Sequence, residues 1–339
     1  MTAGVWIAPF LVDERSALVS EYPHWYVKDG EGKLVYFSDP IAGKRYRLLD
    51  VTVPGAAEYV REAIRTKVDE GFDYLKLDFL FGAAFEGVRW DGSTAMQAYH
   101  RAMRIVRDAA GEETFLLASG QPWLPTLGYV HAARDSSDIT GSVPGFPLFT
   151  TTAGLARYHG VRAAFDGVWW HNDPDNLVVR PPLTGTQAEV AVASTYLAGR
   201  TLLGDSLVEL EPERIRLLLQ EGAEILRLAE GQFYAPDLMD EAVSWPIASP
   251  VSDVLGFANA APRIWVRSTG EEAIVALFSW DLFSSALNFK YADLGLGGEP
   301  SGVTIEHVFG ADTSLQTSGD VYTALVPGQS VAVYRFSPP

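Results

Sequence analysis

The chain has 339 residues, 47% of them hydrophobic and 20% charged, enough apolar material for one large core or two smaller ones, so a disordered tail and a disulfide-built miniprotein are excluded. Forty-three acidic against 26 basic residues leave a formal charge of −17, which makes the chain self-repelling and a poor partner for nucleic acid or an anionic membrane. Cysteine is absent, which removes disulfides, thiolate metal ligands and a cysteine nucleophile in one step.

Met1 to Phe10 holds no Lys or Arg, lacks the charged head of a secretory signal and reads as a strand. No apolar run approaches the ~20 residues that span a bilayer, and a cytoplasmic location is the expectation. As far as about residue 240, short β-rich runs alternate with segments of helical period, the pattern of βα units around a parallel sheet. The expected strands are Val5–Phe10, Tyr74–Phe79, Thr114–Ala118, Val130–Arg134, Val168–Asn172 and Thr201–Gly204. Between them, Val60, Ile64 and Val68 recur at four-residue spacing after Pro54, with Gly71 placed to end the helix. Ser93 or Thr94 caps a second helix in which Met96, Tyr99, Met103 and Val106 share a face and Gly111 terminates. Glu211-Pro212 opens a third, with Ile215, Leu218, Leu219, Ile225 and Leu228 on one side. After about residue 244 the texture turns to period-2 strands: Arg263–Arg267, Ala273–Trp280, Ala286–Tyr291, Val303–Phe309, Val321–Leu325 and Ser330–Phe336. These predict an antiparallel β-sandwich over residues 244–339, reached through the Pro-containing stretch Ser244–Pro262 and following an α/β domain over residues 1–243.

In parallel α/β sheets the reactive groups stand at the carboxyl ends of the strands. Lys76 and Asp78, two residues apart on one strand, share a face, with Leu75 and Leu77 on the other. Each stabilises the charged form of its neighbour, so Asp78 is expected to stay ionised and fit for work as a nucleophile or base; a structural ion pair is the competing reading. Arg134-Asp135-Ser136-Ser137-Asp138 places two carboxylates and a guanidinium behind another strand, though taken alone such a run is most often a polar turn. Asx-Pro turn chemistry accounts for most of the run Asn172–Asn176. The six histidines show neither HxH nor HExxH spacing, which argues against a catalytic metal. Trp6, Trp25, Trp90, Trp123, Trp169 and Trp170 offer stacking faces for sugar rings, though at least half are expected to pack in the core. Phosphate loops, dinucleotide fingerprints and the GxSxG serine motif are missing. Two carboxylates at different strand ends then suggest glycoside hydrolysis, with one acid and one nucleophile or base and no cofactor.

Beyond this, Gly4-Val-Trp-Ile-Ala-Pro-Phe10, Glu21-Tyr-Pro-His-Trp25, Leu48-Leu-Asp-Val51, Tyr74-Leu-Lys-Leu-Asp-Phe-Leu-Phe81, Phe115-Leu-Leu-Ala-Ser-Gly-Gln-Pro122, Arg134-x-x-x-Asp138 and Asn172-Asp-Pro-Asp175 follow in one order. That series resembles glycoside hydrolase family 36, the melibiase-type bacterial α-galactosidases, from residue 4 to about 205 and more loosely through the β domain. The resemblance implies a (β/α)8 (TIM) barrel followed by the sandwich, and retaining, double-displacement hydrolysis of terminal α-galactosides. It makes Asp78 the nucleophile and Asp138 the acid, with Lys76, Trp6, Ser119 and Arg134 at the sugar. The two carboxyls are then expected about 5–5.5 Å apart, as in retaining enzymes.

Three departures qualify the implication. The family's Arg-Ile-Gly-Pro-Asp is Arg134-Asp-Ser-Ser-Asp138 here, so that Asp135 stands where it would repel Asp138 or displace the loop; the family's Cys-Gly-x-Pro is Ser119-Gly-Gln-Pro122. The family also has two barrel strands and a β domain ahead of the strand equivalent to Val5–Phe10, and no Asp-Asp pair occurs in this sequence to match the second of those strands. The expectation is a shortened α-galactosidase-like hydrolase, a homo-oligomer or one completed by a polypeptide encoded upstream. A noncatalytic carbohydrate-binding or interaction protein derived from such an enzyme is the alternative.

Overall fold

A computed structural model describes residues 3–39, 43–139, 148–240 and 261–337. The chain divides into two compact units, Met1–Arg134 and Asp135–Pro339.

In the first unit the strands Gly4–Ile7, Tyr74–Leu77, Phe115–Ala118 and Ala132–Arg134 lie side by side in that order, all parallel. In register, Trp6 stands beside Lys76 and Lys76 beside Leu117. The helix Pro54–Asp69 buries Val60 and Ile64, while Gly71, at φ 92°, takes the left-handed turn that ends it. Thr94 closes a capping box with Gln97 at the head of Ala95–Ala110, and Gly111 ends that helix at φ 73°. Its buried face runs through Ala98, Tyr99, Ala102, Met103 and Val106; Met96, expected on that face, is 40% exposed.

An antiparallel excursion, Leu11–Asp13, Lys44–Leu48 and Tyr36–Asp39, follows the first strand and was not expected from the sequence. Its middle strand, Lys-Arg-Tyr-Arg-Leu, shows no apolar alternation because charge fills it: Arg45 and Arg47 both reach Glu14, at 3.4 and 3.7 Å, and the Arg45 guanidinium lies 3.8 Å over the Tyr36 ring.

In the second unit, the expected Val168–Asn172 strand lies further along, at His171–Asp173, preceded by Trp169 in a turn and by Trp170, which bridges to Asp166. Asn176–Leu177, unassigned in the sequence, pairs in parallel with Leu202–Leu203. The helix Gly185–Ala198 buries every residue from Ala188 onward except Glu189, as a helix packed on all sides must. The third expected helix is interrupted: α-helical Pro212–Arg216 gives way to a π turn at Leu217–Glu221 before Gly222–Leu228. The wider turn rotates the apolar stripe, so Leu217 and Leu218 are buried and Leu219, expected inside, is 44% exposed. Gly222 then meets the Gly185–Ala198 helix, where a Cβ would fall 2.6 Å from Val192 and 2.9 Å from the Tyr196 ring.

The C-terminal strands form two antiparallel sheets. One is ordered Gln232–Tyr234, Ile264–Ser268, Ala273–Ser279, Ser330–Ser337, Thr304–Gly310, the other Ser285–Lys290, Val321–Val326, Gln316–Ser318. Val266, Val275 and Leu277 of the larger sheet pack with Phe289, Tyr322 and Val326 of the smaller. Its other face, through Trp265, Ile274, Ala276 and Val331, joins the apolar helix residues Val192 and Leu197. All six expected strands are present; Gln232–Tyr234 and Gln316–Ser318 were too short to stand out. Most of the expected joint at Ser244–Pro262 lies outside the described residues.

Candidate active site

Asp78 follows directly on the Tyr74–Leu77 strand, and its backbone N–H donates to the Ile7 carbonyl of the neighbouring strand at 2.9 Å. The Trp6 indole N–H donates to Asp78 Oδ2 at 2.9 Å. Phe79 sits in the left-handed region at φ 53°, and this sharp turn lets its own N–H fold back to Asp78 Oδ1 at 2.7 Å. Both carboxylate oxygens are therefore held by N–H donors, one a side-chain indole and one a backbone amide. The apolar surroundings are aromatic, with the Trp6 ring edge-on to Phe79 at 6.4 Å and Phe37 packed against Phe81 at 5.0 Å. Trp6 is nevertheless 53% exposed, which leaves a ring face open to solvent.

Lys76 is buried one residue pair below Asp78, level with Trp6 in the register. Ser119 extends the next strand, donating its N–H to Leu77 at 2.8 Å. Gly120 accepts from Phe81 N–H at 2.7 Å; its φ of 60° and the 3.3 Å that a Cβ would have to Phe79 Cα call for glycine. Gln121 donates to the Arg134 carbonyl at 3.1 Å, tying the ends of the third and fourth strands. Arg134 itself is buried. Trp6, Lys76, Asp78, Ser119 and Arg134 thus all fall at the carboxyl end of the first unit's parallel strands, where such sheets carry their chemistry.

Asp50, quoted above for its motif alone, is a buried brace: its carboxylate accepts from the Thr52 N–H and hydroxyl at 3.1 and 2.7 Å and from Trp90 N–H at 2.8 Å. Arg89 nearby is buried, which pushes its guanidinium down from the usual value against the opposing field of Asp50.

Asp138 belongs to the second unit and is exposed. Asp135, by contrast, is completely buried, with His159 Nδ1 2.9 and 3.0 Å from its two oxygens and the Arg162 guanidinium donating to its carbonyl. The second carboxylate of this loop is turned inward onto the Leu148–Arg162 helix, and it anchors the loop. The Asn172–Asn176 run does contain the expected turn, the Asp175 N–H donating to Asp173 Oδ1 at 3.0 Å. Turn chemistry does not exhaust it: Asn172, Asp173 and Asp175 are all buried, and Asp175 Oδ2 accepts from the Ile139 N–H at 2.6 Å. His159 carried no signal in the sequence beyond being one of six histidines, and Gln121 and Asp175 stood there inside motifs with no role of their own. The signals there were Gln121 within Ser119-Gly-Gln-Pro122 and Asp175 as the last residue of Asn-Asp-Pro-Asp.

Of those six tryptophans only Trp170 is buried; among the described residues the fully buried tryptophans are Trp265 and Trp280, in the β domain. Trp25, Trp123 and Trp169 are half-buried and Trp6 and Trp90 exposed, so fewer of the six are fully packed in the core than expected. Among the described residues no three His, Asp or Glu side chains gather to hold a metal ion, and no helix is long and apolar enough to cross a membrane.

No family model matches the chain. Over 178 residues, half of this chain, it is 26% identical to the isomalto-dextranase of Arthrobacter globiformis, and that match spans 26% of the enzyme. The α-galactosidase of Thermus thermophilus, solved with p-nitrophenyl α-D-galactopyranoside, is similar in structure with a TM-score of 0.50 and 28% identity, over 64% of this chain and 46% of that one. A β-L-arabinopyranosidase from Geobacillus stearothermophilus has the same fold along the whole chain, with a TM-score of 0.69 at 12% identity and 75% of its own length covered. The α/β fold with its parallel sheet and C-terminal antiparallel sheets therefore matches the TIM-barrel glycosidases, and the chain is related to glycoside hydrolases.

Proposed function

We propose that the chain is a retaining, α-galactosidase-like glycoside hydrolase of the family 36 type, with Asp78 as nucleophile and Asp138 as acid and then base. The observation that carries this is the Asp78 carboxylate at a parallel-strand end, held by the Trp6 indole on one oxygen and the Phe79 amide on the other. In the first step Asp78 attacks the anomeric carbon while Asp138 gives its proton to the glycosidic oxygen. The bond to the aglycone breaks, a glycosyl ester on Asp78 forms and the aglycone leaves as an alcohol. In the second step Asp138, now a carboxylate, takes a proton from water, which attacks the anomeric carbon, frees the sugar and restores both side chains. Two inversions return the starting configuration. Lys76 donates to sugar hydroxyls, Ser119 and Arg134 line the sugar, and the exposed ring of Trp6 stacks on the sugar beside the reacting carbon.

The match to an isomalto-dextranase supports a second reading of the substrate, an α-linked glucose oligosaccharide, on the same two carboxylates. The test is turnover of 4-nitrophenyl α-galactoside, 4-nitrophenyl α-glucoside and isomalto-oligosaccharides by the purified chain, with the anomer of the first product read by NMR. The α-product from the galactoside, and its loss in Asp78→Ala, are the expected results. Undiminished turnover in Asp78→Ala overturns the assignment, and binding without turnover of any of these substrates makes the chain a carbohydrate-binding relative.

A further inference from the structure

The segment that carries Asp138 is fastened at both ends to one tight turn. At its start the Asp135 N–H donates to the Asp173 carbonyl at 3.0 Å; at its end the Ile139 N–H donates to Asp175 Oδ2 at 2.6 Å. The turn itself is closed by Asp175 N–H on Asp173 Oδ1 at 3.0 Å, with Asp175 in the left-handed region at φ 76° and the Thr201 hydroxyl on its carbonyl. Asp175 is buried, 2% exposed. A charge-assisted bond of that length to a backbone amide is among the stronger neutral-donor contacts a loop can have. The amide it holds is the one immediately after Asp138.

We propose that Asp175 is a positioning residue for Asp138: it fixes the backbone on which the acid stands, and so determines how well the proton reaches the leaving oxygen. This rests on the reading of Asp138 as the acid. A carboxylate in that role must sit within hydrogen-bond reach of the oxygen it protonates, and a shift of about 1 Å costs about 100-fold. Asp135 holds the other end of the segment through His159, so loss of Asp175 removes one of these two fastenings and leaves the other.

The experiment compares Asp175→Ala and Asp175→Asn with Asp138→Ala on three α-galactosides of falling leaving-group ability: 2,4-dinitrophenyl, 4-nitrophenyl and a disaccharide. Glycosylation needs the acid in proportion to the basicity of the leaving oxygen. Asp138→Ala should therefore lose most on the disaccharide and least on the dinitrophenyl glycoside. Read as kcat/KM, which reports the glycosylation step alone, Asp175→Ala should repeat that gradient with a smaller amplitude, about 10- to 100-fold on the disaccharide and under about threefold on the dinitrophenyl substrate. Asp175→Asn retains an oxygen for the Ile139 N–H and should recover most of the loss; it carries the test should the alanine variant fail to fold. Equal losses on all three substrates, or an asparagine variant as impaired as alanine, overturn the positioning role. A flat gradient in Asp138→Ala instead overturns the acid assignment, and with it this proposal.

Discussion

The Trp6 indole and the Asp78 carboxylate, 72 residues apart in the chain, meet across two adjacent parallel strands through a 2.9 Å hydrogen bond. Trp6 is thereby more than a stacking face, because its N–H fixes the rotamer of the proposed nucleophile.

Trp6→Phe keeps a ring and removes this donor. Since Trp6 is half-exposed, stability should change by under about 0.5 kcal/mol, while kcat/KM on 4-nitrophenyl α-galactoside falls about 10-fold, the loss of one hydrogen bond to a charged group. Thermal unfolding and steady-state kinetics on the same sample separate the two effects. An unchanged kcat/KM would show that the bond does not survive substrate binding.

His159→Ala leaves the buried Asp135 side chain without its imidazole hydrogen-bond partner and should destabilise the second unit by about 1–3 kcal/mol. The double variant with Asp135→Ala removes both members and should be less damaged than the sum of the single variants. Urea unfolding of the four proteins gives the coupling energy; additive losses would show that the pair contributes no interaction.

Asp237 accepts from the Arg263 and Ile264 N–H groups at 2.7 and 3.2 Å, yet burial pushes its carboxyl up to about 6. A folded pKa above the unfolded one means that the folded state binds the proton more tightly. The stabilising contribution is complete below about 3.8 and is lost as pH rises through about 6. Relative to Asp237→Asn, which does not titrate, the parent should lose about 3 kcal/mol of unfolding free energy between pH 3.5 and pH 7. Chemical denaturation at the two pH values checks this, and parallel pH dependences would remove burial as the cause.

Gly199 closes the Gly185–Ala198 helix where a Cβ would come within 2.2 Å of the Asn172 carbonyl oxygen. The obstacle is backbone, and the Arg200 N–H already donates to that same oxygen at 2.8 Å. Gly199→Ala should therefore cost about 3 kcal/mol, the upper end of overpacking, where an open glycine such as Gly185 should tolerate alanine within about 1 kcal/mol. Equal melting temperatures for the two variants would show that the backbone yields.

Much of the fold was legible where a single physical signal dominated. The six C-terminal strands followed from alternation, the Thr94 and Gly111 helix ends from capping chemistry, and the strand carrying Lys76 and Asp78 from a short apolar run with two polar residues on one face. Signals failed where two effects mixed. The Lys44–Leu48 strand is too charged to alternate, and the π turn at Leu217–Glu221 rotates a helical stripe that looks continuous when read at 3.6 residues per turn.

The candidate site divides in the same way. The sequence alone determined which residue types end the parallel strands, because chain order and a period of two decide which side chains share a face. It could not show that Asp135 turns inward to His159, that Trp6 rather than a distant donor holds Asp78, or that Asp175 fastens the segment bearing Asp138. Those are pairings between residues from 24 to 72 positions apart. Only the tertiary structure decided them, since a hydrogen bond depends on distance and direction in space, and neither is encoded in the local pattern of the residues that make it.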